Sequence, residues 1–195
     1  MKIVKIFRND ELARKYAPVL LQKSEVKPNP EELLYRMTRK DGNLLIAYHV
    51  VWPYERDEGN GFYSLLNKIF YTGIFKFQRI IYGPKDVEAI ELKIDEKSGK
   101  ILGIKYETAI EKKGKIIHVP VIKEFDKPLD PPLFFEVVTW NHLFRYVENG
   151  KSSDANVYKL EPKYFEERLW KYYRMTKKYK HFLSRDRAHF DWERI

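Results

Sequence analysis

From Asp86 onward, apolar and polar residues alternate. In "DVEAIELKID" the residues Asp86, Glu88, Ile90, Leu92 and Ile94 share one side of an extended strand, while Val87, Ala89, Glu91 and Lys93 share the other. The alternation continues through "ILGIKYETAIEKKGKIIHVPVIKEF", interrupted by "DEKSGK" and "EKKGK", whose glycines and charges are turn chemistry. A meander of three or four antiparallel strands follows from this pattern. Upstream, "LLIAYHVVWPY" from Leu44 to Tyr54 is apolar in both phases and rich in β-branched and aromatic residues, as is "LFFEVVTW" downstream. Both read as strands buried on two faces.

Other stretches carry the helical period or break it. "NDELARKYA" predicts a short helix capped by Asn9 or Asp10, with Leu12 and Tyr16 at i, i+4, and Pro18 ends it. "MKIVKIF" reads as a short strand, "PVLLQKSE" as extended, and "VKPNPEELLYR" as a connection leading into a short helix from Glu31. A second short helix is expected from Tyr63 to Phe70, and "VENGKSSDANV" reads as a polar loop. In "EPKYFEERLWKYYRMTKKYKHFLSRDR", Pro162 suits a first helical position, and Phe165, Leu169, Tyr172, Thr176, Tyr179 and Leu183 recur at spacings of three and four. This predicts an amphipathic helix of about five turns. The architecture expected is mainly β: an antiparallel β-sandwich over residues 1–160 with peripheral helices, and a basic C-terminal helix and tail over 161–195 packed on it.

Composition narrows the chemistry. The 195 residues suit one domain that buries roughly 70% of its unfolded surface. The absence of cysteine excludes disulfides, thiolate metal sites and a cysteine nucleophile. Lysine, glutamate, isoleucine and tyrosine abound while Gln22 and Gln78 are the only glutamines, a bias reported for proteins of hot environments. No apolar run approaches the roughly 20 residues that span a bilayer, and the charged N-terminus lacks a signal-peptide core, so a cytoplasmic protein is expected. The net charge of +9 favours an anionic partner. No glycine-rich phosphate loop and no G-x-S-x-G elbow is present.

Three stretches in order carry a resemblance. "ARKYAPVLLQKSEVKPNPEELLY", "LIAYHVVWPYERD" and "GPKDVEAIELKID" resemble successive motifs of the vacuolar protein sorting 62-like family, and the acidic motif of the third is also similar to that of the related necrosis-inducing cytolysins. The resemblance implies a β-sandwich in which an aspartate-x-glutamate pair helps to bind a divalent cation; Asp86 and Glu88 match that pair. Where the cytolysin pattern has histidines, this chain has Gly83 and Lys85, and Val87 replaces the middle tryptophan. The cytolytic site is therefore incomplete, and what the resemblance carries is the fold and a remodelled cation site.

Asp86 and Glu88 lead a row of core residues, and unpaired carboxylates do not enter a core without cost. Their end of the row is expected to emerge at the rim of the sandwich. With Cα atoms about 7 Å apart, the two side chains can converge on calcium, magnesium or manganese, while lysine or arginine neighbours are the structural alternative. His142, after a strand end, is the third candidate ligand; Glu25 and His49 are further candidates for the same rim, His49 also reading as a core histidine. His118 reads as an ordinary strand residue. The tail "AHFDWERI" sets His189, Asp191 and Glu193 at alternate positions, but no strand can continue past it. A rival reading uses the terminal helix: Arg174, Lys177, Lys178 and Lys180, interleaved with tyrosines, as a surface for nucleic acid or anionic lipid. A third is a metal-dependent hydrolase on the acidic rim.

Overall fold

The computed structural model describes residues 5–55, 61–71, 83–112, 115–150, 154–175 and 183. Two sheets face each other across a shared core. The larger has six strands in the order β10-β2-β3-β4-β5-β6, and the smaller has four in the order β8-β7-β1-β9. The strands of the larger sheet are β2 (Glu32–Lys40), β3 (Asn43–Trp52), β4 (Asp86–Asp95), β5 (Ile101–Lys112), β6 (Lys115–Leu129) and β10 (Pro162–Tyr164). Those of the smaller are β1 (Val19–Lys23), β7 (Phe134–Val137), β8 (Phe144–Val147) and β9 (Ala155–Tyr158). Leu20, Phe135, Val137 and Phe144 from the small sheet pack against Tyr35, Tyr48, Trp52, Ile90 and Leu92 from the large one. β2 to β6 form an antiparallel meander. Both sheets are nonetheless mixed, because β1 pairs with β7 and β10 with β2 in parallel.

Helix α1 (Asp10–Tyr16) is capped by the Asn9 side chain, which accepts from the Leu12 amide at 3.0 Å, and Ala13 and Tyr16 face the core. Helix α2 (Phe62–Leu66) runs into a π-helical turn (Asn67–Tyr71), where a short helix was expected. The helix expected from Glu31 is instead β2. Leu33, Tyr35 and Met37 face the shared core while Leu34 joins a second apolar cluster on the other face, so the run satisfies a buried strand better than a one-sided helix. "MKIVKIF" contributes an isolated bridge, Phe7 to Met37, among its described residues. The polar loop holds β9, which pairs antiparallel with β1.

The C-terminal segment departs furthest from expectation. Pro162 opens β10, an edge strand beside Leu33–Tyr35, where a missing N–H is tolerated. Helix α3 (Glu167–Tyr172) is six residues long, and Arg174 takes φ 54 at its end. The Arg174 amide donates to the Lys171 carbonyl and the Met175 amide to the Trp170 carbonyl, closing the helix with a Schellman turn. The buried positions are Phe165, Trp170, Tyr173 and Met175, while Tyr172 of the expected stripe is exposed. A five-turn helix is therefore not what forms from Pro162; residues 176–182, and with them Lys177, Lys178 and Lys180, lie outside the described residues, as does the 189–193 tail. No helix among the described residues is long and apolar enough to cross a membrane.

Candidate functional site: a buried acidic cluster

In the antiparallel register of β3 and β4, Trp52 lies opposite Asp86 and Val50 opposite Glu88. The Asp86–Glu88–Ile90–Leu92–Ile94 row faces the interior, and its apolar members join the main core. The ladder between β4 and β5 begins only at Ile90 opposite Tyr106. Asp86 and Glu88 thus stand beyond the point where β5 has diverged. Glu55 arrives from the turn that follows β3. One carboxylate oxygen from each of Glu55, Asp86 and Glu88 lies within 4.8 Å of the others. All three residues are buried, at 6%, 2% and 5% exposure. The expected solvent-facing rim is therefore a correction: the β3–β4 pairing and the β7–β8 turn close over the row's leading end.

That turn delivers His142. Its Nδ1 lies 2.7 Å from Asp86 Oδ2, and its ring stacks on Trp52 with centroids 4.4 Å apart and planes 7° from parallel. Trp52 Nε1 donates to Gln22 Oε1 at 3.2 Å, and the Gln22 amide donates to the carbonyls of Val26 and Pro28. A chain of contacts from β1 through β3 therefore fixes the ring that holds Asp86. His142 itself adopts φ 58, a region costly for residues with a β-carbon, and its amide donates to the Thr139 carbonyl. With its Nδ1 facing Asp86 at 2.7 Å, His142 is placed to orient that carboxylate.

The other candidates separate. His49 lies opposite Ala89, on the outer face of the large sheet, with its ring edge-on to Phe165 at 5.0 Å and Trp170 at 5.5 Å. Strand alternation sets it on the face away from Asp86. Glu25 is exposed in the turn after β1, and no described contact ties it to the cluster. Arg174 is exposed at the end of α3. His118 does more than a plain strand residue: its Nδ1 is 3.0 Å from Glu107 and its Nε2 2.8 Å from the Asn141 amide, beside His142.

Gly83 explains one departure from the cytolysin pattern. It sits at φ 117, and a β-carbon there would come 2.9 Å from the Tyr173 carbonyl, so no histidine fits. Lys85, the other replacement, turns away to Glu31 at 2.7 Å and Glu32 at 3.3 Å. Burial pulls its ammonium down, but the two glutamates outweigh that and hold its pKa above the usual lysine value.

Glu55 is the member that pattern reading passed over, because "WPYERD" reads as an aromatic turn. Pairing "LLIAYHVVW" antiparallel with "DVEAIELKID" brings it to the same end of the sheet as Asp86. Glu55, Asp86 and Glu88 bring three carboxylate oxygens together, and an all-oxygen donor set of this kind suits a hard divalent cation.

No family model and no curated protein matches the chain. A solved structure, NLPPya in complex with mannosamine, superposes with a TM-score of 0.44 at 11% identity, over 80% of this chain and 71% of that one. This falls on the necrosis-inducing side of the resemblance and gives nothing for the vacuolar sorting side. A superposition that loose carries no argument about ligand or activity.

Proposed function

We propose that this protein binds a divalent metal cation, of the calcium, magnesium or manganese class, through Glu55, Asp86 and Glu88. The observation that carries the reading is the closeness of three carboxylates, within 4.8 Å, at positions no more than 6% exposed. A convergent set of carboxylate oxygens is the donor set that hard divalent cations take, and the ion's own charge would be the largest in the site. His142 serves the site by fixing Asp86, leaving the second oxygen of that carboxylate for the ion. A ligand that binds only the folded state raises its melting temperature, so the test is thermal unfolding with each cation in turn. The expected outcome is a rise of several degrees with at least one of Mn2+, Ca2+ and Mg2+, abolished in Glu88→Gln and in Glu55→Gln. An unchanged Tm with all three, together with no bound Mn2+ by electron paramagnetic resonance, refutes the reading.

A further inference from the structure

A site this closed sets a problem of access. With Glu55, Asp86 and Glu88 at 6%, 2% and 5% exposure, an ion reaches them only when some neighbouring element opens. The 139–143 turn touches the cluster directly, through His142 and Asp86, and it concentrates conformational cost. His142 holds a left-handed backbone at φ 58. Asn141 Oδ1 and His142 Nε2 are sealed from solvent and, among the described residues, have no hydrogen-bond partner. Two consecutive residues thus bury an unsatisfied polar atom each, and the second is strained as well. Opening the turn would let water reach both atoms and relax the backbone.

Identifiable contacts hold it shut. The His142 amide donates to the Thr139 carbonyl at 3.0 Å, and the Leu143 amide to Thr139 Oγ1 at 3.1 Å. His142 is bonded to Asp86 and stacked on Trp52 inside. Outside, the Asn141 amide nitrogen meets His118 Nε2 at 2.8 Å, and Glu107 holds the other ring nitrogen at 3.0 Å. With the His118 proton on Nδ1 facing Glu107, Nε2 is the acceptor and the Asn141 amide is the donor. The His118 side chain is 32% exposed, so this bond lies nearest the surface.

We propose that the 139–143 turn is the gate of the acidic cluster and that the His118–Asn141 hydrogen bond is its latch. Opening carries His142 off Asp86, exposes the carboxylates and admits the ion; closing restores the oriented site. What passes the gate rests on the cation reading, but the gate itself does not.

Amide hydrogen exchange and stopped-flow Mn2+ binding test the two separately. In the full chain, the His142 and Leu143 amides are expected to exchange through local opening, much faster than those of the β3–β4 ladder. His118→Phe keeps a ring but removes the acceptor, and should speed exchange at both turn amides by about tenfold, the loss of one hydrogen bond, with the ladder unchanged. Asn141→Ala should do the same from the other side of the latch. The Mn2+ association rate should rise by the same factor. Turn amides as protected as the ladder, or unmoved by both variants, overturn the gate whatever Mn2+ does. Accelerated exchange in a protein that binds no Mn2+ sustains the gate and discards only its proposed passenger.

Discussion

The two faces of the large sheet handle buried charge in opposite ways. Across the outer face runs a register row of Arg36, Ala47, Glu91 and Lys105. Every charge in it meets its opposite: Glu91 and Lys105 pair at 2.9 Å with both side chains 6% exposed. Arg36 reaches Glu167 at 2.9 Å, donates to the Phe165 carbonyl at 3.0 Å and lies 3.8 Å over the Trp170 ring. That guanidinium is what docks α3 on the sheet, by ion pair, hydrogen bond and cation–π contact together. On the inner face, at one end, Asp86 and Glu88 are joined by Glu55, so the same sign of charge is gathered. Charge on the outer face is paired with its opposite along one register row, whereas on the inner face three carboxylates share one place, the site of the proposed cation.

The contrast is sharpest within a single strand, since Glu88 and Glu91 occupy opposite faces of β4. Removing one charge from each should have opposite effects on stability. Glu91→Gln strands the buried Lys105 ammonium and should cost about 3–5 kcal/mol in urea unfolding. Glu88→Gln, in cation-free buffer, removes repulsion and should stabilise by about 1–3 kcal/mol. If both substitutions destabilise alike, the acidic cluster is neutralised from within and the difference between the faces disappears.

Much of this contrast was legible in the sequence and some was not. Alternation in "DVEAIELKID" set Asp86 and Glu88 on the core-facing side, because a strand's period of two leaves no other arrangement once Ile90, Leu92 and Ile94 are buried. Their burial was not legible, since it depends on a turn far along the chain folding over them. Glu55 and the Asn141–His118 contact escaped for the same reason: each arises from register between distant segments. The terminal helix was misread because tyrosines and lysines fit a 3.6 period as readily as an edge strand followed by a single turn and a half. Packing on the outer face then buried Trp170, against Arg36, and Tyr173, with Leu169 half-buried beside them and Tyr172 left exposed.

The inner face also holds a neutral polar group that contrasts with the cluster. Tyr48, opposite Ile90 in the register, donates its hydroxyl to the Ala13 carbonyl at 2.7 Å. Burial pushes its phenol well above the ordinary 10.0. Folded Tyr48 stays neutral where the unfolded phenol ionises, so its contribution is complete below that ordinary value and declines as pH rises past it. Stability should fall by about 1.4 kcal/mol per pH unit in that alkaline range, and Tyr48→Phe should flatten the slope by that amount. An identical slope in the two proteins, measured by urea unfolding on either side of pH ~10, would remove Tyr48 from the account.

The smallest effect lies at the edge of the outer face, where Arg174 ends α3. Its backbone at φ 54 suits glycine, and its amide already closes the helix by bonding the Lys171 carbonyl. Arg174→Gly removes the β-carbon penalty but adds freedom to the unfolded chain, and the first should exceed the second. A gain of about 0.5–1 kcal/mol is expected, with Trp170 fluorescence unchanged because the Met175 amide still returns to the Trp170 carbonyl. Should the variant instead lose stability, Arg174 contributes through its side chain, and the docking of α3 rests on two arginines, with Arg36 holding its face and Arg174 its end.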